Sequence, residues 1–169
     1  MNYMSLVEFD IARDAHPVDI IEHVASTNDW SFERNGEDEI SISVAGTWTD
    51  YQVSFSWMEE FEALHIACAF ELKVPVGRQL EVMRLISLVN EQMLFGHFDH
   101  WEREGVIMFR QALMLPGGLE PTGHQVEVML KSALEACEAY YQAFQYVTWS
   151  DTTAQEALKS VLFEVSGTA

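Results

Sequence analysis

Residues 39–58 read EISISVAGTWTDYQVSFSWM, and the alternation in this stretch decides the fold. Ile40, Ile42 and Val44 take turns with Ser41, Ser43 and Ala45. After a turn bracketed by Gly46 and Asp50, Tyr51, Val53, Phe55 and Trp57 alternate with Gln52, Ser54, Ser56 and Met58. Successive side chains of a strand leave opposite faces, so a period of two with one apolar set predicts half-buried strands. Here the apolar set is large and the other set is small and weakly polar. A sheet built this way expects helices on one face only.

Working outward, the same pattern continues on both sides. Trp30 and Phe32 alternate with Ser31 and Glu33 ahead of a turn at Asn35-Gly36-Glu37-Asp38. Leu64, Ile66, Cys68 and Phe70 alternate with His65, Ala67 and Ala69 behind it. Four short strands joined by tight turns predict an antiparallel meander. Before it, Pro17 suits a first helical turn, and Val18, Ile21, Val24 and Ala25 form one stripe of a helix ending near Thr27. After it, Val82, Leu85, Ile86, Val89 and Met93 give a helix over about 76–93 whose polar line is narrow, so it is expected to meet two surfaces. His97–Trp101 and Val106–Leu115 read as a hairpin around Glu102-Arg103-Glu104-Gly105. Thr122 with Gln125 is a capping box that starts a long helix to about Trp149. Ser150-Asp151 signals a last helix carrying Ala154, Ala157, Leu158, Val161, Leu162 and Val165. The predicted class is therefore α+β, an antiparallel sheet of about six strands in the order α-β-β-β-β-α-β-β-α-α, with helices mainly on one face.

The chain has 169 residues, 49% of them hydrophobic, and 9 Lys plus Arg against 27 Asp plus Glu, a net charge of −18. A chain of this length buries roughly 70% of its unfolded surface, which favours one domain over 1–169. Within it we expect a core over about 17–115 and a helical extension over about 121–165. Nucleic acid is excluded as an expected partner, since binding it needs clustered cations and the nine here are scattered, no two adjacent. Anionic membranes are disfavoured for the same reason. No apolar run approaches a membrane span of about 20 residues. MNYMSLVEFD lacks a basic stretch followed by an apolar one, so a cytoplasmic location is expected, with Cys68 and Cys137 as free buried thiols.

Several residues invite chemistry. His97, Asp99 and His100 lie together, but on a strand only His97 and Asp99 share a face, and a metal site would need a further ligand such as His65. A hydrogen-bonded strand histidine is the expectation, and no metal is expected. Glu62-Ala-Leu-His65 has the spacing of di-iron bundles, which works only on helices and in two copies; neither condition is met. Glu59, Glu60 and Glu62 read as a solvated corner. Cys68 has no adjacent base. With no Gly-rich phosphate loop and no nucleophile motif, neither an enzyme nor a cofactor is expected. The excess of Trp and Tyr near Trp48, Tyr51 and Trp57 makes these, with His65 and His97, the candidate interaction residues.

Five segments together resemble the YbjN-like family of bacterial sensory transduction regulators: Trp30-Ser-Phe-Glu-Arg34, Gly46-Thr-Trp-Thr-Asp-Tyr51, Val53-Ser-Phe-Ser-Trp57, Cys68-Ala-Phe-Glu-Leu-Lys-Val-Pro75 and Asn90-Glu-Gln-Met-Leu-Phe-Gly-His-Phe98. Phe109-Arg110 fits the same pattern in the following strand. The resemblance spans about residues 17–164. It implies a fold similar to type III secretion chaperones, which are small acidic homodimers that hold an extended stretch of an effector, and it carries over no catalytic residue. The resulting expectation is a non-enzymatic regulator or chaperone-like adaptor that binds another protein as a homodimer. The alternative is a small-ligand sensor or enzyme with a pocket between sheet and helices, rimmed by His65, His97 or the Glu59–Glu62 corner.

Overall fold

Pro17 opens the first helix, where its missing N–H costs nothing, and the His16 ring accepts the Val18 amide at 3.1 Å. The computed structural model describes residues 13–166, with side chains as far as Leu162. The N-terminal stretch MNYMSLVEFD and the side chain of Val165 lie outside the described residues. Helix α1 is Pro17–Thr27, closed by Asn28, whose side-chain amide donates to the Val24 carbonyl at 2.8 Å. The strands follow as β1 Ser31–Arg34, β2 Glu39–Ala45, β3 Asp50–Met58 and β4 Ala63–Ala69. Then come α2 Gln79–Asn90, β5 His97–Trp101, β6 Val106–Met114, α3 Gly123–Trp149 and α4 Ala154–Ser166. Single 3₁₀ turns at Glu59–Phe61 and Val76–Arg78 complete the order. The second of these shortens α2 at its start relative to the span expected from periodicity.

All six strands form one antiparallel sheet in the order β1-β2-β3-β4-β6-β5. The meander accounts for the first four. Strand β6 then lies beside β4, pairing Cys68 with Phe109, and sends β5 to the edge, pairing Phe98 with Phe109. Register gathers the branched and aromatic residues of the central strands on one side: Ile42 stands opposite Val53, and Phe55 opposite Ile66. A slip of one residue would exchange this face for the serines and alanines.

Helices α1, α2 and α3 pack on the large face, and α4 lies against α2 and α3. Ile21, Ile42, Phe55, Ile66, Val82, Phe109, Cys137, Phe144 and Val161 belong to one buried cluster that reaches from α1 to α4. At its centre Phe70 packs against Phe98, Tyr141 and Phe144 with ring centroids 5.8, 5.1 and 5.9 Å apart. Each such ring taken out of water contributes about 2–3 kcal/mol. Cys68 and Cys137 are buried free thiols in the same cluster.

The expected capping box forms: the Gln125 amide donates to Thr122 Oγ1 at 3.0 Å, and the Thr122 amide to Gln125 Oε1 at 2.9 Å. The start signal for α4 moves. Ser150 serves the end of α3, its hydroxyl donating to the Tyr146 carbonyl at 2.6 Å, and Thr153 with Glu156 forms the reciprocal cap of α4 at 3.2 Å each way. Glu81 adds a cap from outside, accepting the Ala154 amide at 2.9 Å. That bond is the main cause holding the Glu81 carboxyl below its ordinary value.

Candidate functional site

Three surfaces carry the residues with chemistry. The first is the uncovered sheet face. At its β1–β3 end the polar groups satisfy one another: Ser41 and Ser54 hydroxyls lie 3.2 Å apart, Asn35 donates to Ser41 at 3.0 Å, and Gln52 to Ser43 at 3.0 Å. At the β4–β6–β5 end, Arg110 is the hub. Register places it between Ala67 and His97. Its Nε donates to His65 Nε2 at 3.1 Å, its Nη1 to Asp99 Oδ2 at 3.3 Å, and its guanidinium lies 5.5 Å from the Trp101 ring centre.

This geometry fixes the chemistry of His65. A guanidinium nitrogen only donates, so Nε2 of His65 must be the acceptor and its proton sits on Nδ1. Burial, then the Arg110 charge, then His97 push its pKa below the ordinary histidine value. His65 is thus a neutral ring locked as an acceptor, whereas the sequence predicts the hydrogen-bonded strand histidine in the His97–His100 segment. Among the described residues no three His, Cys, Asp or Glu side chains converge as metal ligands. His100 faces the other way, as alternation requires, and its Nε2 is buried without a hydrogen-bond partner among the described residues.

The interaction candidates scatter. Trp48 is 45% exposed on the β2–β3 turn and donates Nε1 to the Glu138 carbonyl at 3.2 Å. Tyr51 is buried, edge-on to Tyr141 at 6.3 Å. Trp57 is also buried: the Arg13 guanidinium covers its face at 4.4 Å, and its indole N–H donates to Glu59. Strand parity alone put these two rings inward, so neither offers its face to a partner. His65 and His97 share the uncovered face with Arg110. The Glu59–Glu62 corner is elsewhere, with Glu62 paired to Arg13 at 3.0 Å. The two histidines and this corner do not rim a common pocket between sheet and helices.

The second surface is a groove between the end of β2 and α3, of about 590 Å³. Trp30, Val44, Leu130 and Leu134 line it, with Glu127, Glu135 and Glu138 along the helix side. Sequence reading missed it because its two walls are more than 80 residues apart in the chain. The turn before β3 is pinned to α3 here: the Thr47 amide donates to Glu138 Oε1 at 2.7 Å. Gly46 permits this approach, since a Cβ there would overlap the Glu138 carboxylate and the Tyr51 ring.

The third surface is α2. Its inner side buries Val82, Leu85 and Val89, while Val76, Leu80 and Met83 stand exposed at 85%, 59% and 56% on the preceding turn and the outer side. Leu94 and Phe95, also exposed, lie past the helix end beside His65, His97 and Arg110. The narrow polar line in the sequence was the signal for this.

Comparison with known proteins follows the fold. The model of the YbjN family, described as "Putative bacterial sensory transduction regulator", matches residues 17–146. The crystal structure of YbjN from E. coli superposes with a TM-score of 0.54 at 10% identity, covering 87% of this chain and 93% of that one. A chain of the ExsC–ExsE complex superposes with a TM-score of 0.52 at 14% identity, covering 80% and 98%. The fold is thus that of YbjN and the type III secretion chaperones. No curated protein matches the chain in sequence. Among the described residues no helix is long and apolar enough to cross a membrane.

Proposed function

The chain belongs to the YbjN family, and on that premise we propose that it is a cytoplasmic, non-enzymatic regulator or chaperone-like adaptor that binds another protein and acts as a homodimer. The observation that carries this reading is the outer side of α2. Apolar side chains as large as Leu80 and Met83, exposed side by side, lower the free energy only when another surface covers them. A twofold interface built on one helix lets the same residues meet their copies. The fold shared with ExsC–ExsE, a complex of two proteins, fits a protein-binding role. The ionisable cluster on the open face supports the non-enzymatic part: Arg110 is committed to His65 and Asp99, so neither side chain of this cluster is a free base. We read residues 1–169 as one domain, since side chains of α3 and α4 share a buried cluster with the sheet.

Light scattering tests the dimer. The parent chain should give twice its 19.3 kDa, and a Leu80→Glu, Met83→Glu double variant should fall to the single-chain mass with unchanged far-ultraviolet circular dichroism. A parent that stays at 19.3 kDa at micromolar concentration refutes the homodimer.

A further inference from the structure

We propose that the groove between the end of β2 and α3 binds a short partner segment whose apolar side chains are flanked by Lys or Arg. This inference rests on the protein-binding reading and names the chemistry of the partner. Three observations point to such an occupant.

The floor is apolar and ready-made: Trp30, Val44, Leu130 and Leu134 are only partly covered or lie at the rim of the core, and about 590 Å³ stands open between them. Burying side chains there gains the usual return on apolar area, roughly 25 cal/mol per Å².

The rim is net acidic. Glu127, Lys131, Glu135 and Glu138 follow one another along α3, Asp29 joins the lining, and Lys131, the one cation among these lining residues, is already 3.8 Å from Glu135. A cationic segment therefore approaches favourably and an acidic one is repelled. The apolar floor excludes a bare cation as the preferred occupant, because an ion gains nothing from Val44 or Leu130.

The groove also continues into a second lobe, of about 490 Å³, through Val44, Ala45, Leu134 and Glu138. Tyr51 lines that lobe, its hydroxyl buried and held protonated by burial and by the neighbouring Glu138 carboxylate. Small-molecule sites are enclosed and converge several polar groups, whereas this groove is open along its length over an apolar floor.

Fluorescence anisotropy with two labelled dodecapeptides, one alternating Leu and Lys and one alternating Leu and Glu, provides the test. The Leu/Lys peptide should bind the full chain and the Leu/Glu peptide should not. Leu134→Arg should weaken binding by about tenfold or more, and the exposed Glu135→Lys by about threefold, the second guarding against a folding defect in the first. Met114→Arg adds the same charge on the opposite end of the sheet and should leave binding unchanged. If Met114→Arg weakens binding as much as Leu134→Arg, the attraction is net charge alone and the groove is overturned. If Leu80→Arg abolishes binding while Leu134→Arg does not, the segment sits on α2; the groove assignment then fails and the protein-binding reading survives. Absence of binding by either peptide overturns the groove and leaves the dimer test untouched.

Discussion

The covered and uncovered faces of this sheet share every backbone hydrogen bond and differ only in what stands on them. On the covered face Ile42, Val53, Phe55 and Ile66 are fully buried beneath the helices. On the other, Ser41, Ser54, Ala67 and Arg110 are only half-buried, with Ser41 bonded to Ser54 and Arg110 to His65 and Asp99. One face holds the fold by apolar area, a quantity that grows with side-chain volume. The other contributes hydrogen bonds that water would replace at nearly equal free energy. The two proposed binding surfaces lie at the margins of the covered face, where α2 turns apolar residues outward and α3 leaves a groove beside β2.

Substitutions on the two faces should differ in the cost of unfolding, and the contrast can be broken in order of size. Phe70→Ala removes the ring that joins Phe98, Tyr141 and Phe144 and should cost about 3–5 kcal/mol by urea denaturation. Gly46→Ala should cost about 1–3 kcal/mol, since the new methyl displaces Glu138 and Tyr51 where the turn meets α3. On the open face His65 gives a smaller, pH-dependent term. Its folded pKa lies below 6.5, so between that value and its folded pKa the unfolded chain binds a proton that the fold refuses. Stability must then fall as pH drops through this window and level off below it. Arg110→Gln removes one of the causes of the shift, so the slope of the urea midpoint against pH should flatten and the His65 pKa, followed by NMR, should rise. Ser54→Ala should stay within about 0.5 kcal/mol, because Ser41 keeps its bond from Asn35. A Ser54→Ala cost comparable with that of Phe70→Ala would erase the contrast.

Much of the fold was legible in the sequence because period and caps are local. The alternation at Ile40–Val44 and Tyr51–Trp57 supplied strands and their inward face together, and Thr122 with Gln125 marked the start of α3. The end of α3 was less legible: Ser150 and Thr153 both suit a cap, and only the fold assigned Ser150 to the outgoing helix. The candidate site was read less well. Trp and Tyr counts favoured Tyr51 and Trp57, yet strand parity already placed both rings among the inward residues. Arg110 went unnoticed as a hub because its partners His65 and Asp99 are 45 and 11 residues away.

The sequence by itself determined the order of elements, the face of the sheet that is buried, and the two-sided character of α2, since each follows from spacing within one segment. The tertiary structure alone decided that β6 joins β4 and leaves β5 at the edge, that Arg110 locks His65, and that α3 stops short of covering Val44. These depend on contacts between residues far apart in the chain, whose closure is set by the packing of the whole core and leaves no periodic trace in any one stretch.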